Sequence, residues 1–190
     1  MGCIDENDRV LDLACGTGFF LRYLQPSAYK CGVDICQSML MRIPEKCNAR
    51  AVRAHACMLP FHEDAFDVIT CLGAINVFDD NEIELVFSEV KRVLDDHGRF
   101  IINSSVPVSA PRWQDRMLHK ILYPPIRAHS SILSALSGCK TKIKYVTRDF
   151  YSLTGLFKKH FKYVKTDVRD DLRRKGFDPC SSYGLIMGSD

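Results

Sequence analysis

The 190-residue chain has no apolar run near the ~18 residues of a membrane-spanning helix, and residues 1–8 have neither the basic start nor the apolar core of a signal peptide. A cytoplasmic protein is the expectation. None of its nine cysteines, at positions 3, 15, 31, 36, 47, 57, 71, 139 and 180, forms a CxxC pair, and its six histidines give no HxxxH or HExxH pattern. Structural zinc and zinc-hydrolase chemistry therefore have no ligand set, and no metal site is expected. The odd cysteine count, in a chain long enough to be stable without bridges, points to free thiols in a reducing compartment. There is one tryptophan, no internal repeat and no low-complexity tract. With 46% hydrophobic and 26% charged residues, disorder and fibrous structure are excluded, and one domain spanning 1–190 is expected.

The net charge of +3 conceals an asymmetry. Residues 1–105 carry 10 Lys/Arg against 16 Asp/Glu, whereas residues 106–190 carry 16 against 7. The first part alternates short apolar runs with amphipathic stretches, the pattern of a βαβ sheet with helices on its faces. Arg9–Leu13 reads as a buried strand, followed by the turn Ala14-Cys15-Gly16-Thr17-Gly18 and a helix from about Phe19 to Leu24 that Pro26 ends. Residues 31–35 read as a second strand ending in an acid, Gln37 to Arg42 as a helix, 49–54 as a third strand and 66–72 as a fourth. Ile83, Val86, Phe87, Val90 and Leu94 recur at helical spacing with Asp79 or Asp80 as cap, and His97-Gly98 ends that helix before a fifth strand at 99–103. Residues 106–146 break the rhythm with four of the eight prolines and read as a helical insert. A helix at 147–160, a strand at 161–168 and a last strand at 182–187, antiparallel to its predecessor, complete the chain.

A glycine turn between strand and helix brings backbone N–H groups close to a ligand. Here Leu21 stands where a dinucleotide fingerprint needs its third glycine, and Asp12 places a negative charge inside the strand before the turn. That charge opposes a pyrophosphate and favours a cationic ligand.

The run Val10-Leu11-Asp12-Leu13-Ala14-Cys15-Gly16-Thr17-Gly18 resembles motif I of the class I S-adenosylmethionine-dependent methyltransferases. Gly32-Val33-Asp34-Ile35 resembles the acidic end of that family's second strand, and Leu59-Pro60-Phe61 through Phe66-Asp67-Val68-Ile69 its LPF-to-FDVV stretch. Glu89 to Leu94 with His97-Gly98-Arg99-Phe100 resembles its segment before strand five. The four motifs stand in the family's order over about residues 9–104, and the chain is similar to the small-molecule group that contains the quinone-biosynthesis methyltransferases. The resemblance implies a doubly wound, mostly parallel seven-stranded Rossmann-like α/β sheet with an antiparallel last strand and the insert after strand five.

It also implies S-adenosyl-L-methionine as cofactor, with a site formed by Asp12, Ala14, Cys15, Gly16, Gly18, Asp34, Ile35, His55, Ala56, Cys71 and Leu72. Gly16 and Gly18 would carry the loop under the methionine part, Asp12 would face its ammonium group, and Asp34 would accept both ribose hydroxyls. Where the family commonly has an acid for the adenine amino group, this chain has His55. Either its neutral imidazole accepts, or backbone groups at Ala56 and Cys57 do that work. Cys15 is expected to be a packing residue, and no residue is assigned as catalytic.

Asn76, Trp113 and Tyr123 are the candidates for the acceptor pocket. The end of strand four, Gly73-Ala74-Ile75-Asn76, lacks the acid-or-Asn-Pro-Pro-aromatic pattern of DNA amino-group methylases, which argues against nucleic acid and for a small, hydrophobic or acidic acceptor. Arg112, Arg116 and Lys120 beside Trp113, Met117 and Ile121 form a basic amphipathic helix that would cover the pocket, contact a membrane peripherally or pack on the sheet. An enzyme is the leading reading; the alternative is a non-catalytic cofactor-binding module acting through a partner protein. The oligomeric state is not legible in the sequence.

Overall fold

The computed structural model describes residues 4–24, 29–104, 150–168 and 184–189. Seven strands form one sheet in the order β3-β2-β1-β4-β5-β7-β6. They are β1 (Arg9–Leu13), β2 (Tyr29–Asp34), β3 (Arg50–Arg53), β4 (Phe66–Cys71), β5 (Leu94–Ser104), β6 (Tyr163–Val168) and β7 (Gly184–Ser189). The pairs from β3 to β5 are parallel, and β7 runs antiparallel to both β5 and β6. This is the mostly parallel sheet with an antiparallel last strand that the motifs imply. The expected insert at 106–146, with Trp113 and Tyr123, lies outside the described residues.

Central parallel strands bury both faces, so they read as nearly continuous apolar runs. One face carries Leu11, Leu13, Cys31, Val33, Ile69 and Cys71, packed with residues of α2 (Asp80–Val93) and α3 (Phe150–His160) in the main core. The other carries Val10, Val68 and Ile101, with a satellite cluster of Cys15, Leu21 and Leu40, the last from α1 (Gln37–Leu40). On α2 the buried residues Ile83, Val86, Phe87, Val90 and Val93 follow the helical period. Its start is a capping box: Asp79 accepts the N–H groups of Asn81 and Glu82 at 3.0 and 2.9 Å, while Glu82 accepts that of Asp79 at 2.9 Å. Such a cap stabilises by about 1 kcal/mol.

Phe87 of α2, Phe100 of β5 and Phe157 of α3 meet at ring-centroid separations of 5.0–5.6 Å, and Phe161 closes the cluster. Farther along α2, Arg92 donates to the carbonyls of Phe61 and Leu59 at 2.7 and 2.9 Å, and Glu89 accepts the Leu59 N–H at 2.6 Å. The helix thereby pins the Leu59–Phe61 segment against the sheet.

Two local expectations are corrected. In place of a helix over 19–24 there is a 3-10 turn at Leu21–Tyr23. The glycine loop runs to residue 18, which leaves too few residues before Pro26 to nucleate a regular helix. Only Leu21 buries itself, while Phe19 and Tyr23, 66% and 65% exposed, meet edge to face. The second correction is at His97-Gly98, where the expected turn is part of β5 itself. Phe66 pairs with Leu94 and Val68 with Arg99, so the extra residues bulge out, with the His97 N–H turned onto Asp95. A side chain at Gly98 would lie 2.6 Å from Leu94, which is why glycine stands there.

Candidate functional site

The carboxyl ends of β1, β2 and β4 lie along one edge of the parallel sheet, the edge at which open α/β sheets bind ligands. The chain leaves β1 through a loop in which Ala14, Gly16 and Gly18 have φ of 52°, 55° and 71°. That left-handed geometry favours glycine and is unusual for alanine. The Cys15 N–H donates to the Val33 carbonyl at 3.0 Å and the Gly18 N–H to the Cys15 carbonyl at 2.9 Å, which ties the loop to the end of β2. Among the described residues nothing lies within 4 Å of where a Gly16 side chain would begin, whereas one at Gly18 would meet Ile43 at 3.1 Å. The loop is therefore open on one side and supported on the other.

Asp34, the last residue of β2, holds this loop. Its Oδ2 accepts the Gly16 N–H at 2.9 Å and its Oδ1 the Cys36 N–H at 2.8 Å. Each carboxylate oxygen has a second lone pair, so the fixed group retains acceptor capacity for a vicinal diol. Ile35 follows, half exposed, with its carbonyl accepting from Arg53 at 3.2 Å.

Asp12 is 3% exposed in the middle of the sheet. It stands in register between Gly32 of β2 and Thr70 of β4, and its Oδ1 accepts the Thr70 hydroxyl at 2.7 Å. Burial pushes its carboxyl up to about 7, the Thr70 hydrogen bond opposes the rise, and the nearby Asp34 charge adds to it. Burial raises the Cys15 thiol strongly, with Asp12 and Asp34 adding to the effect; burial puts Cys31 at about 11 and raises Cys71 as well. Burial of this kind disfavours the thiolate, and Cys15 packs with Leu21 and Leu40. Cys15, Cys31, Cys36, Cys47, Cys57 and Cys71 are all free, and no metal-binding cluster occurs among the described residues.

The His55 Nδ1 accepts the Cys57 N–H at 3.2 Å, so the neutral ring carries its proton on Nε2, which lies 3.9 Å from Glu82 Oε1. The imidazole then presents a donor at its second nitrogen, and Ala56 beside it is buried.

Cys71 ends β4, the partly buried Leu72 follows it, and the Gly73 N–H donates to Asn103 at 2.6 Å. In the following 3-10 turn, Ile75–Val77, the Asn76 Oδ1 is buried without a hydrogen-bond partner among the described residues. Thr70 and Asn103 escaped the sequence reading; the one available signal was a hydroxyl residue inside the apolar run 66–72. A separate cavity of about 600 Å³, lined by Arg9, Tyr29, Arg50, Phe61 and Phe66 among others, opens where the strands begin and is remote from the loop.

Residues 10–98 match the model of a methyltransferase domain family. Over 187 residues the chain is 28% identical to an uncharacterized protein of Methanocaldococcus jannaschii, with 95% of this chain and 66% of that protein covered. Over 102 residues it is 36% identical to the demethylmenaquinone methyltransferase of Thermus thermophilus, covering 50% and 46%. The crystal structure of a Pyrococcus horikoshii protein superposes with a TM-score of 0.67 at 20% identity, covering 96% of this chain and 82% of that one, a likeness of fold. The chain spans 66% or less of the length of these two curated relatives.

Proposed function

Because residues 10–98 match a methyltransferase domain family and the motifs resemble those of the class I S-adenosylmethionine-dependent methyltransferases, we propose that the chain is such an enzyme and carries a methyl group in line to a small, hydrophobic or acidic acceptor. The observation that carries this reading is the glycine loop held by Asp34, with Asp12 beneath it. Asp34 has the right chemistry for the ribose diol, and Gly16 leaves the open side that a close-lying ligand requires. Asp12 supplies a negative charge for the ammonium end, and Cys71 and Leu72 contribute backbone at the same sheet edge. Backbone at Ala56 serves the adenine.

The bound cofactor supplies a sulfonium methyl; the protein's part is to align the acceptor and exclude competing water. No base is assigned, because an acceptor that arrives deprotonated needs none. The unpartnered Asn76 Oδ1 is suited to orient an acceptor hydroxyl or N–H. A hydrophobic acceptor is supported by the Thermus relative, a demethylmenaquinone methyltransferase.

Calorimetric titration with S-adenosylmethionine and S-adenosylhomocysteine, with Asp34→Ala alongside, tests the cofactor site. Transfer of labelled methyl is then measured to quinone precursors, small carboxylic acids and transfer RNA. Transfer to one of the small acceptors is expected. Binding with no transfer to any acceptor would favour the module acting through a partner, and transfer to RNA alone would overturn the small-molecule reading.

A further inference from the structure

Thr70 lies outside every motif that led to the site, yet it makes the one hydrogen bond to the Asp12 side chain found among the described residues. The two side chains are 1% and 3% exposed and face each other in register across β1 and β4. The Thr70 hydroxyl has two acceptors in reach, Asp12 Oδ1 at 2.7 Å and the Leu11 carbonyl at 3.5 Å. A hydroxyl carries one proton on a rotatable bond. Facing a carboxylate, it donates to Oδ1; facing a protonated carboxyl, it accepts from that group and turns its own proton toward Leu11. Both protonation states of a buried acid are thereby satisfied without moving the backbone, which an apolar neighbour would not permit.

We propose that Thr70 is a positioning residue for cofactor binding: its hydroxyl fixes the Asp12 carboxylate beneath the glycine loop and favours the charged form, so that binding is coupled to loss of a proton from Asp12. This rests on the reading of Asp12 as the acid that faces the cofactor's ammonium group. The surroundings of Asp12 set the direction of the coupling. From β2, Asp34 opposes its ionisation, and buried Lys30 stands on the same face two residues before Gly32. From the loop and from β4 come Cys15 and Cys71, whose thiols remain neutral. Gly32, the in-register neighbour on β2, contributes no polar side chain, and among the described residues the Thr70 hydrogen bond is what opposes the rise in the Asp12 carboxyl. Arrival of an ammonium group supplies the opposite charge that burial withholds, and the proton leaves to solvent.

The test is calorimetric titration of the full chain with S-adenosylhomocysteine between pH 5.5 and 8.5, in paired buffers of different ionisation enthalpy so that released protons are counted. Wild-type affinity is expected to rise with pH along a limb set by Asp12. The ligand's own α-amino group sets a falling limb at higher pH that all variants share. Thr70→Val is expected to move the rising limb upward, binding about tenfold more weakly below the midpoint and converging on wild type at the top of the range, with more protons released at pH 7. Thr70→Ser, which keeps the hydroxyl, is expected to follow wild type.

A loss in Thr70→Val that is equal at every pH, no loss at all, or the same shift in Thr70→Ser would each overturn the proposal. Asp12→Asn separates the two levels: it is expected to weaken binding and erase the rising limb. If it leaves affinity and pH profile unchanged, the reading of Asp12 itself fails. If it weakens binding while Thr70→Val matches wild type, only the role of Thr70 fails.

Discussion

Asp34 Oδ2 accepts the backbone N–H of Gly16 at 2.9 Å, so the acid that ends the second strand holds the glycine loop that leaves the first. With Oδ1 on the Cys36 N–H, the carboxylate is fixed at both oxygens before any ligand arrives. Asp34→Asn keeps the size but turns an NH2 donor toward one of two backbone donors. The expected result is at least tenfold weaker binding of S-adenosylhomocysteine by calorimetry and faster amide exchange at Gly16 and Cys36, equivalent to a loss of about 2 kcal/mol.

Asp12 makes stability depend on pH in the direction opposite to an ion-paired acid such as Asp67. Its folded value, about 7, lies above that of an unfolded chain, so the native state holds the proton more tightly. This contribution is complete below about pH 4, declines as pH rises toward 7 and is absent above that. Asp12→Asn is expected to remove the decline, leaving the ligand-free variant more stable than wild type at pH 8 by on the order of 2–4 kcal/mol in urea unfolding, although it binds cofactor less well.

At the opposite edge of the sheet, Arg9 clamps Asp67 through Nε and a terminal guanidinium nitrogen at 2.9 and 2.6 Å, with the Arg9 N–H adding a third bond at 2.7 Å. The guanidinium holds the Asp67 carboxyl below the usual carboxylate range. Stability from this pair is present above the unfolded value and is lost as pH falls through the lowered folded one. Because both side chains are partly exposed, Arg9→Ala is expected to destabilise by only about 1 kcal/mol in urea unfolding. Cofactor affinity, measured in parallel, should not change.

Gly18 and Gly16 should respond differently to alanine. Both have left-handed φ, which costs a side chain about 1–2 kcal/mol. Gly18→Ala also presses a methyl group to 3.1 Å from Ile43. It is expected to lower the thermal midpoint more than Gly16→Ala does. Gly16→Ala, which points its methyl into the open side of the loop, is expected to weaken cofactor binding more than it weakens the fold. Thermal unfolding and calorimetry of the two variants together check this.

The strands were legible because parallel sheets write themselves as apolar runs: Val10, Leu11 and Leu13, or Val68, Ile69 and Cys71, point to both faces and are buried on each. The Asp79 cap was legible because a capping box is local chemistry. The helix over 19–24 was misread because apolar spacing at Phe19, Phe20 and Leu21 carries no information about how far the preceding loop extends. The bulge at 95–98 and the insertion of β7 between β5 and β6 depend on pairing between distant segments, which periodicity does not record. At the site, Asp12, Gly16 and Asp34 stood out by type and position. The function of Thr70 depends on a neighbour 58 residues away, and the donor character of His55 on which ring nitrogen the Cys57 N–H engages.

The aromatic cluster joins residues far apart in the chain, since Phe87 and Phe100 are covered by Phe157 and Phe161. Synthesis proceeds from the amino end, so all five parallel strands and the glycine loop emerge while two large aromatic rings still lack their cover. Contacts of such long sequence separation form late and slow the search for the native state. Docking of α3 on the sheet is therefore the step that takes Phe87 and Phe100 out of water.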